Sequence, residues 1–271
     1  MMEYIDVARQ IASGMRIFKF PENVRGFPLT SGRKLSEVDI AFETYGKPNE
    51  DASNCVLVCH ALSGDYHASS LGKDNEKGWW EGIIGWGKGI DTSKYFVVCS
   101  NVLGSCRGST GPSSNIPETG RRYGLDFPQV SIEGMVNAQA RLLDYLGIEK
   151  VLSVIGGSMG GMQVVQWMKS YPHRIRSAIP IATALRHTPM QIAFNKVGRR
   201  AIMSDPDWNG GNYYDSTTPI RGLAVARMLG HITYLSDTSL RKKFGRMIAC
   251  ESGRGFSTNV QGGEIPEVQG G

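Results

Sequence analysis

The chain has few cysteines, no cluster of like charge and no apolar run long enough to cross a bilayer. Five cysteines in 271 residues are an odd number at low density, which argues against a disulfide scaffold and favours a reducing compartment. Lysine and arginine exceed aspartate and glutamate by only 30 − 25 = 5, so nothing indicates nucleic-acid binding. No secretory apolar segment stands at the start. These absences predict a soluble, cytoplasmic protein without a membrane partner.

Two cysteines have the spacing of a metal site but unsuitable surroundings. Cys55 and Cys59 stand in the apolar run Cys-Val-Leu-Val-Cys, and no second Cys or His pair completes a set of four ligands. Buried strand cysteines are therefore the better interpretation, and no metal is expected.

A β-branched run followed by four glycines around a serine is the most informative segment. Residues 151–155 lead into Gly-Gly-Ser-Met-Gly-Gly, and helical spacing follows over 162–169. This order is the strand, turn and helix of a nucleophile elbow, with Ser158 as the nucleophile. The small Gly156 and Gly160 tolerate the strained turn, which sets the hydroxyl above the positive end of a helix. The alternative is an incidental serine in a glycine-rich turn.

Strand and helix patterns alternate along the first two thirds of the chain. Continuous apolar runs predict strands that are buried on both faces, and apolar residues at helical spacing predict covering helices. The alternation indicates an α/β fold with a mainly parallel sheet that is covered by helices and buried on both faces. The predicted strands are 38–45, 55–59, 95–99, 151–155 and 177–181, and the predicted helices are 132–146, ending at Gly147, and 163–170.

The pattern changes after Ile181. Residues 189–203 and 220–235 predict helices separated by a polar, aromatic loop, and no strand pattern follows. The last twenty residues are Gly-rich and lack periodicity. The expected organisation is a partial core over 1–184, a helical lid over 185–247, and an aberrant or disordered tail over 248–271.

A serine nucleophile needs backbone donors for the oxyanion and a histidine held by an acid. The N–H of Met159 is one candidate donor, and the N–H of Leu62, in the loop after the 55–59 strand, is the other. In this architecture the acid and the histidine follow the serine on late loops. Only His231 follows plausible acids, and it lies in a predicted lid helix. The triad Asp and His are therefore expected to be absent from this chain.

The roles of two further segments cannot be decided from their residues alone. The Gly- and Ser-rich loop over 101–111 lacks the Gly-Lys-Ser/Thr ending of a P-loop, and it is either a structural turn or a wall of the active site. Arg227 and Tyr234 lie two helical turns apart on one face, where a guanidinium suits a carboxylate. By residue type alone, an exposed arginine beside a packed tyrosine is the simpler interpretation.

Long, dispersed motifs carry a family resemblance. They cover 41–46 (Ala-Phe-Glu-Thr-Tyr-Gly), 59–65, 78–80, 100–114, 123–128, 156–163, 192–195 and 222–236. From about Phe27 to Arg246 the chain closely resembles the homoserine O-acetyltransferases of methionine biosynthesis, which have the α/β-hydrolase fold. The resemblance implies that Ser158 accepts the acyl group, that Leu62 and Met159 form the oxyanion hole, and that Arg227 with Tyr234 receives the homoserine carboxylate.

The resemblance also implies a ping-pong reaction. Ser158 attacks acetyl-CoA, CoA leaves, and the hydroxyl of L-homoserine then takes the acetyl group. A lid that restricts water favours transfer over hydrolysis. Acetyl-CoA is a co-substrate in this scheme, no permanently bound cofactor is expected, and the family resemblance implies a homodimer formed through the lid helices.

The tail departs from the family pattern. After Phe-Gly-Arg the relatives continue through late strands and the loops that bear the catalytic Asp and His, whereas this chain has Gly-Gly-Glu-Ile-Pro-Glu-Val-Gln-Gly at 262–270. Possible codons read one base later permit Val-Glu-Lys-Tyr-Leu-Lys-Tyr-Lys, so our hypothesis is a frameshift, which resequencing of the locus tests. The late strands are expected to be missing from the chain as it stands.

Several alternatives remain beside acetyl transfer to homoserine. Within the family they are homoserine O-succinyltransferase and serine O-acetyltransferase. A carboxylesterase would use water as acceptor and would need no Arg227. An inactive fragment that lacks the triad Asp and His is the third class.

Overall fold

A six-stranded mixed sheet forms the centre of the first of two compact units, residues 1–187 and 188–271. The computed structural model describes residues 14–20, 26–70 and 77–245, so the predicted tail over 248–271 lies outside the described residues. The strands of the sheet are β1 Arg16–Lys19, β4 Asp39–Tyr45, β5 Cys55–Cys59, β8 Phe96–Ser100, β9 Ser153–Gly157 and β10 Ala178–Ile181. Two small ribbons pair β2 Phe27–Pro28 with β3 Lys34–Leu35 and β6 Ile84–Gly85 with β7 Ile90–Asp91. The spatial order of the six sheet strands is β1-β4-β8-β5-β9-β10.

Four of the six strands are parallel, which confirms the predicted fold class. The apolar runs of β5 and β8 are buried at every residue, as expected for parallel strands covered on both faces. The strands β1 and β4 run antiparallel at one edge of the sheet. At the other edge of the described sheet, β10 leaves Ile179 and Ile181 exposed.

The strand before the serine is displaced from its predicted position. It begins at Ser153 and not at Val151, which makes only an isolated bridge to Ile175. The strand extends to Gly157 because Gly156 pairs with Cys59 and Gly157 pairs with Ile181. The neighbouring strands therefore carry the pairing up to the residue before the serine.

Two helices cover one face of the sheet, α1 Ile132–Tyr145 and α2 Met159–Ser170. Ser131 begins α1 by accepting a hydrogen bond from Gly134 N at 3.2 Å, and Gly147, with φ 72°, follows its end. Val136, Leu142 and Trp167 from these helices pack with Leu57 in one apolar cluster.

The opposite face of the sheet is covered by loops and a short ribbon. In the described residues, side chains from loops and from the β6–β7 ribbon pack against it, including Ala68, Trp80, Ile84 and Ile90. These loop side chains are apolar, so they bury Val56 and Val58 without a helix. Both faces of the sheet are thus buried, as predicted, one beneath helices and the other beneath loops and the ribbon.

The second unit is helical, with α3 Pro189–Met203, a 3-10 turn at Pro206–Gly211, α4 Ile220–Tyr234 and α5 Asp237–Phe244. The helix α3 begins at a capping box formed by Thr188 and Gln191. It packs against α4 at small residues, since a Cβ on Gly222 would stand 2.6 Å from the backbone of Ile202. The sequence predicted α3 and α4 but not α5, whose polar sequence has little apolar periodicity.

Asp205 joins the turn after α3 to the beginning of α4. Its side chain is buried and accepts hydrogen bonds from Gly222 N at 2.7 Å and Asp207 N at 3.0 Å. Pro219, at the start of α4, supplies no side-chain cap, so a residue distant in sequence satisfies the N–H of Gly222. The hydrogen bond from Gly222, followed by that from Asp207, lowers the pKa of Asp205 below its ordinary value.

No helix in residues 14–20, 26–70 and 77–245 has the length and apolar character needed to span a membrane.

Replacing Asp205 should destabilise α4 and reduce its acid sensitivity. Asp205→Asn turns one acceptor into a donor that faces an N–H, so exchange of the Gly222 amide should quicken and the melting temperature should fall. Because the folded pKa is depressed, the aspartate stabilises the fold above its unfolded pKa, and this contribution is lost as pH falls through the folded pKa. Amide exchange and circular dichroism between pH 6 and about pH 2 measure both effects.

Asp207→Asn is the matched control, because the Asp207 carboxylate makes no hydrogen bond or ion pair with another residue in the described chain. It should melt like the parent protein. Equal losses in the two variants would contradict the capping role of Asp205.

Candidate active site

Ser158 stands alone between β9 and α2 with a backbone that few side chains adopt. Its φ of 55° and ψ of −118° lie in a region that favours glycine, and it is exposed. Two contacts hold this conformation. Ser158 N donates to Ile181 O at 3.0 Å, and Thr183 Oγ1 donates to Ser158 O at 2.8 Å. The strained turn, the exposed hydroxyl and the helix N-terminus behind it form a nucleophile elbow.

Glycines let the elbow pack directly on the neighbouring strand. A Cβ on Gly156 would stand 2.6 Å from Gly160 C and 2.7 Å from Cys59 O. A Cβ on Gly160 would collide with the carbonyl of Cys59, and one on Gly161 would stand 2.6 Å from Thr183 Cβ. The helix can therefore begin against the end of β5 only where these side chains are absent.

The two candidate oxyanion donors follow the ends of adjacent parallel strands. Met159 is the first residue of α2, where the N–H groups have no partner within the helix. Leu62 lies three residues after β5, in a turn closed by Gly64 N donating to Ala61 O at 3.0 Å. Because Cys59 pairs with Gly156, both segments leave the same edge of the sheet.

His60 is placed beside the elbow but is not available as a base. It is buried, its Nδ1 lies 2.7 Å from Ala61 O, and its Nε2 accepts from Val102 N at 3.0 Å. The carbonyl is an acceptor and the amide is a donor, so the proton resides on Nδ1. Burial also lowers the pKa of His60, which keeps the ring neutral. This histidine anchors the loop that carries Leu62.

The remaining histidines divide between the two units. His67 pairs with Glu43 at 3.0 Å, and Glu43 also accepts from Tyr45 OH at 2.5 Å, which ties the loop after β5 to β4. His173 lies in the 3-10 turn Pro172–Arg174, after the end of α2. His187 is exposed, and His231 lies on α4 as predicted.

A buried chain of side-chain amides, which sequence reasoning missed, connects both helices to the loop after β5. Trp167 Nε1 donates to Gln139 Oε1 at 2.8 Å, and Gln139 Nε2 donates to Gln163 Oε1 at 2.8 Å. Gln163 Nε2 then donates to His60 O at 3.1 Å. Both glutamines interrupt otherwise apolar helix faces, and that interruption was the available signal.

The loop over 101–111 is in part a structural turn. Ser109 Oγ accepts from Ala41 N at 3.0 Å, and Thr110 Oγ1 accepts from Asp39 N at 2.8 Å, so both hydroxyls complete the hydrogen bonding of β4. Arg107 is exposed and pairs with Asp65 at 3.4 Å. Ser109 and Thr110 therefore have a structural role in this loop, as one of the two predictions had it.

The described residues offer no cluster of three or more His, Cys, Asp and Glu side chains suited to a metal. Cys55 and Cys59 are buried in β5, as predicted, and burial raises the pKa of the Cys59 thiol to about 12. Buried, protonated thiols are poor metal ligands.

Arg227 and Tyr234 lie on α4 in the second unit, and both are exposed. Tyr234 follows Arg227 by seven positions, about two helical turns, which places both side chains on one face of the helix. The ring of Tyr234 lies over Gly230, where a Cβ would stand 3.4 Å from Tyr234 Cε2. Arg227 makes no ion pair or hydrogen bond with another residue of the described ranges, which leaves its guanidinium accessible.

Comparison with known proteins agrees with this geometry. Residues 54–263 match the family model described as alpha/beta hydrolase fold. The chain belongs to the alpha/beta-hydrolase family. The elbow, the helix behind it and the mainly parallel sheet are thus the expected parts of this hydrolase fold.

The relatives of this alpha/beta hydrolase confirm the resemblance read from its motifs. It is 60% identical over 234 residues to the homoserine O-acetyltransferase of Methanohalobium evestigatum, covering 86% of this chain and 47% of the relative. It is 31% identical to the solved homoserine O-acetyltransferase from Bacillus anthracis, with TM-score 0.78, covering 88% of this chain and 65% of that one. It is 34% identical to esterase E22, with TM-score 0.76, covering 86% and 64%. The chain spans about half the length of the curated relatives it matches.

Gly160→Ala should damage the nucleophile elbow. The added methyl group would meet the Cys59 backbone, which cannot move without displacing β5, so the free energy of unfolding should fall by about 2–3 kcal/mol or more. Denaturant unfolding of the purified variant measures this loss.

Gly157→Ala is the matched control, because among the described residues, its chain neighbours aside, the nearest atom to its added Cβ is Ile181 O at 4.0 Å. Its stability should remain within about 1 kcal/mol of the parent. A Gly160 variant as stable as the Gly157 variant would refute the close approach.

Proposed function

We propose that this protein is a homoserine O-acetyltransferase that transfers an acetyl group from acetyl-CoA to L-homoserine through an acyl-enzyme on Ser158. The exposed, strained serine between β9 and α2 carries the proposal. The curated relatives support the choice of reaction, since those at 60% and 62% identity are named homoserine O-acetyltransferase.

In the first half-reaction, Ser158 Oγ attacks the thioester carbonyl while its proton passes to a base. The C–S bond then breaks and CoA leaves as the thiol. The tetrahedral oxyanion receives hydrogen bonds from the N–H groups of Met159 and Leu62, with the positive end of the α2 dipole behind it. The family resemblance implies a histidine as the base, and His60 does not serve because both its ring nitrogens are engaged.

In the second half-reaction, the hydroxyl of homoserine attacks the acyl-serine ester and gives its proton to the base. The base passes this proton to Ser158 Oγ as the C–O bond to the enzyme breaks. The Arg227 guanidinium suits the homoserine carboxylate, because its planar fork matches the two oxygens, and the Tyr234 hydroxyl supports it. The specificity for an amino-acid acceptor over water rests on this pair in our proposal.

A carboxylesterase is the second candidate, because esterase E22 matches the fold about as well as the solved acetyltransferase does. The two functions share Ser158 and the oxyanion donors. They differ in the acceptor, which is water for the esterase and the homoserine hydroxyl for the transferase.

We also propose a homodimer in the cytoplasm, with no bound cofactor, nucleic acid or membrane as partner. The exposed apolar side chains of α4, among them Leu223, Val225, Met228 and Ile232, support association through the helical unit. Light scattering gives the molar mass that tests the dimer.

Ser158→Ala should abolish acetyl transfer in the full-length protein. Loss of the nucleophile should reduce CoA release from acetyl-CoA by about 10⁴-fold or more, and should remove the acetyl adduct seen by mass spectrometry. Ser177→Ala, which removes a hydroxyl bonded to Leu152 O at 2.8 Å, should leave both signals intact. An acetyl adduct that survives in the Ser158 variant would refute the mechanism.

Arg227→Ala should separate the transferase from the esterase. The KM for homoserine should rise about 10- to 100-fold, as for a lost charge-assisted hydrogen bond, while acylation of Ser158 and hydrolysis of a simple ester should persist. Arg199→Ala on α3 is the matched control and should change neither value. An unchanged KM for homoserine, or water as the preferred acceptor of the parent protein, would favour the esterase.

A further inference from the structure

One buried amide touches both backbone segments that carry the candidate oxyanion donors. Gln163 Nε2 donates to His60 O at 3.1 Å and to Met159 O at 3.3 Å. His60 begins the loop that leads to Leu62, and Met159 begins α2. Gln163 thus spans the gap between the loop after β5 and the first turn after the nucleophile.

The direction of this amide is fixed by a residue two hydrogen bonds away. An indole N–H only donates, so Trp167 requires the oxygen of Gln139 to face it. The Gln139 nitrogen must then donate to the Gln163 oxygen, which leaves the Gln163 nitrogen for the two carbonyls. The four residues of this chain, Trp167, Gln139, Gln163 and His60, are all buried. Flipping either amide would set a donor against a donor or an acceptor against an acceptor.

The loop after β5 is held from the other side by the His60 ring. Its two nitrogens bond Ala61 O and Val102 N, while its own carbonyl takes the bond from Gln163. The peptide groups on either side of Ala61 are therefore fixed before the chain reaches Leu62. A donor that must meet an oxyanion within a few tenths of an ångström needs such support.

We propose that Gln163 is a positioning residue that sets the spacing of the Leu62 and Met159 N–H groups, with Gln139 and Trp167 orienting its amide. Its role in catalysis rests on the proposed function of Ser158, whereas its hold on the loop does not. Gln163 contacts no reacting atom and acts through the backbone that it bridges.

The test compares Gln163→Met with Gln166→Met in the full-length protein. Methionine keeps the length of the side chain but removes both N–H donors. Gln166 lies on the same helix, and among the described residues its side chain bonds only Ser170 Oγ, at 2.8 Å, so it is the matched control. Amide exchange of residues 60–64 and the acylation rate of Ser158 by acetyl-CoA are measured for both, with the KM for acetyl-CoA.

For Gln163→Met we expect exchange at 60–64 to quicken while exchange in β9 and β8 stays unchanged. The acylation rate should fall about 10- to 100-fold with KM within about threefold, because a misplaced donor weakens the transition state more than ground-state binding. Gln166→Met should match the parent protein in every measurement.

Gln163→Glu supplies a conservative rescue with a pH signature. Burial raises the pKa of a carboxyl group, and the protonated acid can still donate to His60 O and accept from Gln139. Its acylation rate, relative to the parent, should therefore fall as pH rises and the carboxyl ionises. A purely structural defect would not follow that titration.

The inference is overturned if Gln163→Met acylates within twofold of the parent, if Gln166→Met loses as much, or if exchange quickens throughout the sheet. A parent protein that never acylates Ser158 would instead refute the proposed function. The exchange of residues 60–64 then decides alone whether Gln163 holds the loop.

Discussion

The contact between the first turn of α2 and the carbonyl end of β5 is the constraint on which the site depends. Gly160 brings the helix backbone against Cys59, closer than any side chain would allow. That approach determines where the helix starts and forces the turn at Ser158. The hydrogen bonds from Ser158 N to Ile181 and from Thr183 to Ser158 O then retain a backbone that costs about 1–3 kcal/mol.

Buried polar groups fix the positions of the helices more closely than apolar packing does. Apolar packing places α1 and α2 on the sheet but is indifferent to small shifts along the helix axes. The hydrogen bonds of Gln139 and Gln163 are directional, so they select one setting of the helices relative to the loop after β5. Each polar atom in that chain is partnered, which avoids the desolvation penalty of an unsatisfied buried amide.

The elbow and the main elements could be predicted because their signals are local. The burial of the Cys55–Cys59 run, the Gly147 stop and the helix at 189–203 follow from apolar periodicity and capping chemistry. Other features depend on tertiary contacts. The strand before Ser158 shifted because its neighbours extend its pairing, and the loops that cover Val56 and Val58 have no periodic pattern to read.

The site residues show the same division. The spacing of Ser158 and its flanking glycines identifies them in the sequence. Asp205, in contrast, bonds the N–H of Gly222, 17 residues away, and Gln163 bonds a carbonyl 103 residues away. No window along the chain contains both partners of such a bond. The motifs that carry the family resemblance include Ser158 and Gln163 but do not say what these residues contact.

At Ser158 the stability of the fold and the chemistry of the site favour different residues, because φ is positive there. A glycine there would adopt the same backbone without strain and would stabilise the fold. The nucleophile thus stands at a position whose backbone disfavours any side chain. A substitution that stabilised this turn would therefore remove the hydroxyl. Serine at this position thus gives up some stability of the turn in exchange for a reactive hydroxyl.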